Sequence, residues 1–258
     1  MNPGSLFLAE TGSTIILSVF LLFCRIAGCL MIIPGFGTTR VPARIRLFVA
    51  LGVTLALSPA LVPEMQRALP DEKLGTVFQL IINEVVVGLL IGLLGRSFLA
   101  ALETLATLVS MAIGLSNLPG AAVESNEALP PIANLLTLTA TAMVFITNQH
   151  WEVLRGLAAS YTAIPPGAGI STLGAVERFA QQLADAFLLA LRVVSPFVIY
   201  TVIINLAIGL VNKLTPQIPA YFVGIPFIIA GGLYLLFLIS SEAIALFLDG
   251  YFVWLQQG

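Results

Sequence analysis

Seven charged side chains lie within or beside long runs of Leu, Ile, Val, Ala and Phe: Arg25, Glu84, Arg96, Glu103, Asp185, Arg192 and Glu242. A charge at the centre of a lipid bilayer costs about 2.5–3.5 kcal/mol on insertion scales. With only 9% charged residues, this chain has little reason to place charges there unless they face protein, water or one another. Two chemistries suit such residues. Aligned carboxylates relay protons or ions, whereas a lone carboxylate pairs with a cation on a neighbouring helix. Glu84, Glu103 and Glu242 are scattered through the sequence, so Glu84 is expected to be the structural partner of a cation such as Arg25 or Arg192. Arg96, Glu103 and Arg192 fall near expected helix ends, where long side chains reach the interface.

Other reactive groups are sparse. Cys24 and Cys29 lie in one apolar run, five residues apart, and do not share a helical face well. The single histidine, His150, leaves no Cys/His set for a metal cage. The cysteines read as buried thiols, and His150, beside Asn148, Gln149 and Trp151, reads as part of a polar helix end. Nucleotide-binding, zinc-protease and serine-hydrolase signatures do not occur. The expectation is a protein that is not an enzyme, with no catalytic residue, metal or cofactor.

Composition defines what must position these residues. The 258 residues are 59% hydrophobic, with mean hydropathy +1.03. Soluble domains carry about 25% charged residues. The length fits roughly six or seven membrane helices of about 20 residues. Net charge is −2, and no large basic surface invites nucleic acid. The N-terminus lacks the basic segment of a signal peptide, so the first helix is expected to remain in the mature protein.

The expected helices are Ser13–Ile33, stopped by Pro34-Gly35; Leu47–Leu61, ending near Pro59 and Pro63; and Thr76–Leu94 followed by Ser97–Leu115. The last two form either one long rod or a hairpin turning at Gly95-Arg96. Further helices cover Ile132–Ile146, an amphipathic His150–Tyr161, an amphipathic Leu173–Arg192, an apolar Val193–Val211 around Ser195-Pro196, and Ile225–Leu248. Glu64–Gly75 and Ser116–Pro131 read as loops, the latter with Glu124 and Glu127. Arg40, Arg44 and Arg46 place the first connector in the cytoplasm under the positive-inside tendency. The aromatic Tyr251–Trp254 tail suits an interfacial anchor, which implies contact with membrane lipid.

Two local patterns add detail. Gly88, Gly92 and Gly95 recur at spacings that let membrane helices approach closely. Between two apolar helices, the connector Asn212–Gly224 carries Lys213, Pro216, Gln217 and Pro219. Its prolines make a shaped tip able to line a pore or dock a partner.

The string from Gly209 to Pro226, with Lys213, Pro216, Gln217 and Pro219 at its centre, resembles the Pro-Gln hairpin of the FliR/SctT family of type III export proteins. Other stretches agree in order: Arg25 with Gly28 and Pro34; Arg44 and Arg46; Glu84 with Gly88 and Gly92; Asn148-Gln149-His150; and Ser160-Tyr161 with Pro165. The resemblance spans nearly the whole chain. The stretch Ser125–Pro130 departs from it, lacking the Asp-Pro of the equivalent loop.

The resemblance implies an all-α polytopic membrane protein of kinked helical hairpins. One integral membrane domain over residues 1–258 would comprise a FliP-like unit (about 1–171) and a FliQ-like hairpin (about 172–258). It implies a channel-forming gate built with FliP and FliQ, beside FlhB and FlhA, in the bacterial inner membrane at the flagellar basal body. Unfolded flagellar proteins would pass through it. Arg25, Glu84, Arg96, Glu103, Arg192 and Glu242 would then pair between helices and subunits or face the channel. The alternatives are a virulence-system homologue, or a small secondary transporter using Glu84 and Glu242, whose inverted repeats are not evident.

Overall fold

A computed structural model describes residues 3–37, 41–67, 74–115, 129–167, 172–217 and 220–257. Arg40, Asp71 to Lys73, Glu124, Glu127 and Pro219 lie outside the described residues, as does the departure over 125–128. Seven α-helices and no strand occur among those described: α1 (Pro3–Leu30), α2 (Ala43–Arg67), α3 (Leu74–Ala112), α4 (Pro131–Ile146), α5 (Gln149–Ala163), α6 (Thr172–Leu214) and α7 (Ala220–Gln257). Five contain a stretch long and apolar enough to cross a membrane: Gly12–Leu30, Ala43–Arg67, Leu74–Ala112, Ala180–Leu214 and Ala220–Val253. The protein is an all-α polytopic membrane protein. At ~1.5 Å per residue, α3, α6 and α7 each have a contour of roughly 57–65 Å, about twice the ~30 Å hydrocarbon core.

The helices are longer and fewer than the sequence breakers suggest. The expected stop of the second helix near Pro59 and Pro63 is wrong, because α2 runs through both prolines to Arg67. Pro59 has no N–H for the Leu55 carbonyl, and Ser58 Oγ donates to that carbonyl instead, at 2.9 Å. The same arrangement carries α6 through Pro196, where Ser195 Oγ donates to the Arg192 carbonyl at 2.9 Å. The expected amphipathic Leu173–Arg192 and apolar Val193–Val211 segments are therefore one helix. The hairpin alternative at Gly95-Arg96 also fails, since α3 is continuous there. With α6 reaching Leu214 and α7 starting at Ala220, the tip connector is shorter than Asn212–Gly224. The Pro34-Gly35 stop does end the first helix, within a turn of where it was expected. Gly35 takes φ 88°, a left-handed conformation that a side chain would strain.

The chain divides into two compact units. The first holds residues 1–96, 148–181 and 255–258. Its core joins α1, α2 and α5 through Ile26, Cys29, Leu30, Ile33, Ala50, Val153 and Leu157. A second cluster of Leu21, Leu22, Leu61, Met65, Leu80 and Tyr161 adds α3. Arg46 ties down the α1–α2 connector, its Nε donating to the Val41 carbonyl at 3.1 Å and its Nη1 to that of Met31 at 3.4 Å. The second unit holds residues 97–147 and 182–254. There Phe98 meets Tyr251 edge-on at 5.9 Å between ring centres, and Phe247 stacks on Tyr251 at 6.2 Å. The α4 threonines donate back to their own helix, Thr137 to Ala133, Thr139 to Leu135 and Thr141 to Thr137, each at 2.8 Å, so these hydroxyls serve helix carbonyls within apolar surroundings.

Candidate functional site: a buried ion pair and an exposed hairpin tip

The sequence brings Arg25 and Glu84 onto two helices that touch backbone to backbone. Gly28 of α1 faces α3 so closely that a Cβ there would lie 3.1 Å from the Val85 carbonyl oxygen and 3.3 Å from the Leu89 nitrogen. From the other side, a Cβ on Gly88 would collide with the Arg25 carbonyl, and one on Gly92 would lie 2.7 Å from the Cys29 carbonyl oxygen. These three glycines form interlocking notches, the close approach that small residues permit in membranes. Gly95, also buried, continues the α3 row.

At that approach the ion pair forms. Arg25 Nε donates to Glu84 Oε2 at 2.6 Å and Nη2 donates to Oε1 at 2.9 Å. The side chains are 0% and 1% exposed, so water contributes nothing to their solvation. Such burial is tolerable only when every donor finds an acceptor. Arg25 meets that condition. Its Nη1 donates to the Ser160 carbonyl at 3.1 Å and to Ser160 Oγ at 3.2 Å, and its Nη2 donates to the Ile164 carbonyl at 3.1 Å. Together with the two bonds to Glu84, these match the five N–H groups of a guanidinium.

The acceptors explain the choice of arginine. Ser160 and Ile164 close α5 ahead of Pro165 and Pro166; the Ser160 carbonyl accepts from the Ile164 N–H at 2.8 Å, and Arg25 adds a second donor there and a donor for the Ile164 carbonyl. Ile164 is the C-cap residue at φ −128°, an extended conformation suited to a residue before proline. A cation at this end also opposes the negative pole of the helix. The Tyr161 ring lies 4.0 Å below the guanidinium carbon, adding a cation–π contact. One arginine thereby joins α1, α3 and α5 inside the first unit.

The remaining charges are placed differently. Arg96, Arg192, Asp185 and Glu242 are exposed on the chain, and Glu103 is half-buried. None of these four, nor Glu103, joins the Arg25–Glu84 cluster. Glu84 is thus matched by Arg25 and not by Arg192. At the tip, Lys213, Pro216 and Gln217 are exposed. Among the described residues, no three His, Cys, Asp or Glu side chains gather as a metal site.

Ser160, Tyr161 and Ile164 were not singled out as site residues from the sequence. The Pro165-Pro166 breaker marks the helix end that carries Ser160 and Tyr161, but it does not by itself point to Arg25. The carbonyl of Ile164 carries no sequence signature at all.

Comparison with known proteins finds similarity across nearly the whole chain. The profile of a family described as "Bacterial export proteins, family 1" matches residues 16–252. The chain is similar to the flagellar biosynthetic protein FliR of Caulobacter vibrioides, with 31% identity over 231 residues, covering 90% of this chain and 91% of that protein. It is similar to FliR of Aquifex aeolicus at 24% identity, covering 94% and 92%, and to FliR of Escherichia coli at 22%, covering 82% and 80%. With the family profile matched from the middle of α1 to the last turns of α7, the chain belongs to family 1 of the bacterial export proteins.

Proposed function

We propose that this chain is a FliR-type subunit of the flagellar type III export apparatus in the bacterial inner membrane. With FliP and FliQ it forms the channel through which unfolded flagellar proteins pass, beside FlhB and FlhA. In this reading residues 1–171 form the FliP-like unit and 172–258 the FliQ-like hairpin. The subunit makes and breaks no bond; it shapes and gates a passage, and energy enters through other components.

The observation that carries the reading is the similarity to flagellar FliR proteins over some nine-tenths of both chains. The geometry supports it in two ways. The buried carboxylate has both oxygens engaged by Arg25, as a structural staple requires and a proton relay does not. The long apolar helices also leave much of their surface uncovered by the chain itself; only 6% of the most apolar 18-residue stretch of α7 is buried. Exposed Arg96, Arg192 and Glu242, with half-buried Glu103, then meet partner subunits or the wet channel, consistent with the cost of facing lipid.

The test is complementation. Deletion of the gene abolishes swimming and secretion of flagellar proteins, and the full chain restores both. Unchanged motility in the deletion strain overturns the proposal.

A further inference from the structure

We propose that the outer part of the α6–α7 hairpin, α6 beyond Tyr200 and α7 before Ile228, is a hinged arm held by a phenol latch. Each arm of the hairpin has a weak point at its base. In α6 it is Pro196, which leaves the Arg192 carbonyl without a helical donor and to the Ser195 hydroxyl alone. In α7 it is Gly231-Gly232, a pair with little intrinsic preference for helix. Between these points lies Tyr200. Its hydroxyl donates to the Ile228 carbonyl at 2.8 Å, with the Phe227 carbonyl at 3.4 Å. Those are the carbonyls that the N–H groups of Gly232 and Gly231 address in a regular helix, so the phenol intrudes on that turn of α7. Gly231 makes the room: a Cβ there would lie 2.5 Å from the phenol oxygen.

Burial changes at the same level. Val194, Phe197, Ile228, Phe247 and Tyr251 are buried on the inner side. From Val198 to Gln217 no described residue is buried, and in α7 before Ile228 only Ala220 is. A segment with few buried contacts opens at low free energy. The arms stay paired further out, where Ile208 Cδ1 lies 3.4 Å from the position of a Cβ on Gly224. The outer hairpin therefore pivots as one piece, carrying Lys213, Pro216 and Gln217 with it, and the Tyr200 bond, helped by a longer one at 3.5 Å from Thr201 Oγ1 to the Ala112 carbonyl of α3, sets how often it does so.

The test is a spin-label distance measurement on the full chain in nanodiscs, bearing Leu188→Cys and Leu210→Cys. Both positions are exposed, on either side of Pro196, about 33 Å apart at ~1.5 Å rise per residue, while native Cys24 and Cys29 are buried from the label. Tyr200→Phe widens the distance distribution at least about twofold, and Pro196→Ala narrows it. Gly231→Ala, which evicts the phenol, repeats the Tyr200→Phe result and serves in its place if that variant is not monodisperse. Tyr234→Phe, an exposed tyrosine elsewhere on α7, leaves the width unchanged. Equal widths in all these proteins, or equal widening by Tyr234→Phe, overturn the proposal. The readout needs no export activity, so it stands or falls separately from the functional assignment.

Discussion

Arg25 and Glu84, 59 residues apart in sequence, meet in a two-point ion pair at 2.6 and 2.9 Å with almost no exposure to solvent. Removing one partner strands the other charge in an apolar interior, at a cost of about 3–5 kcal/mol. Glu84→Leu is therefore expected to abolish monodisperse protein at ordinary temperature. Arg25→Met combined with Glu84→Leu removes both charges, although it still takes the Arg25 donor from the Ile164 carbonyl and leaves the Ser160 carbonyl with the Ile164 N–H only. The double variant should regain about half of the lost stability, measured as thermal unfolding in detergent. A proton relay predicts instead that Glu84→Leu folds normally and changes proton coupling.

The interlocking glycines make a second, independent prediction. Gly88→Ala forces a methyl into the Arg25 carbonyl, and overpacking of this kind costs about 1–3 kcal/mol. Gly52→Ala, where a Cβ meets nothing within 4 Å, should be neutral or raise the unfolding temperature, since Ala favours helix over Gly by about 1 kcal/mol. Equal losses from both would show that α1–α3 contact is not what Gly88 serves.

How much of this was legible in the sequence depends on the kind of signal. Arg25 and Glu84 stood out because a charge in an apolar run is costly, and that cost alone demands a partner. The glycine spacing of Gly88 and Gly92 pointed to a close helix contact, but the matching Gly28 became meaningful only once α1 and α3 were seen together. Proline marks some helix ends, as at Pro34 and Pro165, and not others, as at Pro59 and Pro63. Pro59 looks like a breaker, whereas Pro196 reads as a proline within an apolar helix; each follows a serine whose hydroxyl takes the freed carbonyl, at Leu55 and Arg192. Tyr200 left no trace either, because its partner is a backbone carbonyl and its seat is the absence of a side chain at Gly231.

The Ser-Pro pairs can be tested by a double-mutant cycle. Ser58→Ala leaves the Leu55 carbonyl unserved and should cost about 0.6 kcal/mol, comparable to the average for side-chain hydrogen bonds between membrane helices. In a Pro59→Ala background the restored N–H serves that carbonyl, and Ser58→Ala should have no effect. Equal costs in both backgrounds would mean that the serine acts elsewhere.

Replacing residues 215–219 by a Gly-Ser segment of equal length removes the shaped tip without touching α6 or α7. Membrane levels of the chain should be unchanged, while secretion of flagellar proteins falls at least about tenfold. Normal secretion would remove the tip from the mechanism.

The most direct measurement is native mass spectrometry of the chain co-expressed with FliP and FliQ, in three forms: unchanged, Glu84→Leu, and Arg25→Met with Glu84→Leu. The account predicts one discrete complex containing all three proteins for the unchanged chain, its loss in the single variant, and its partial return in the double variant. A chain that stays monomeric or self-associates and ignores both partners would contradict it.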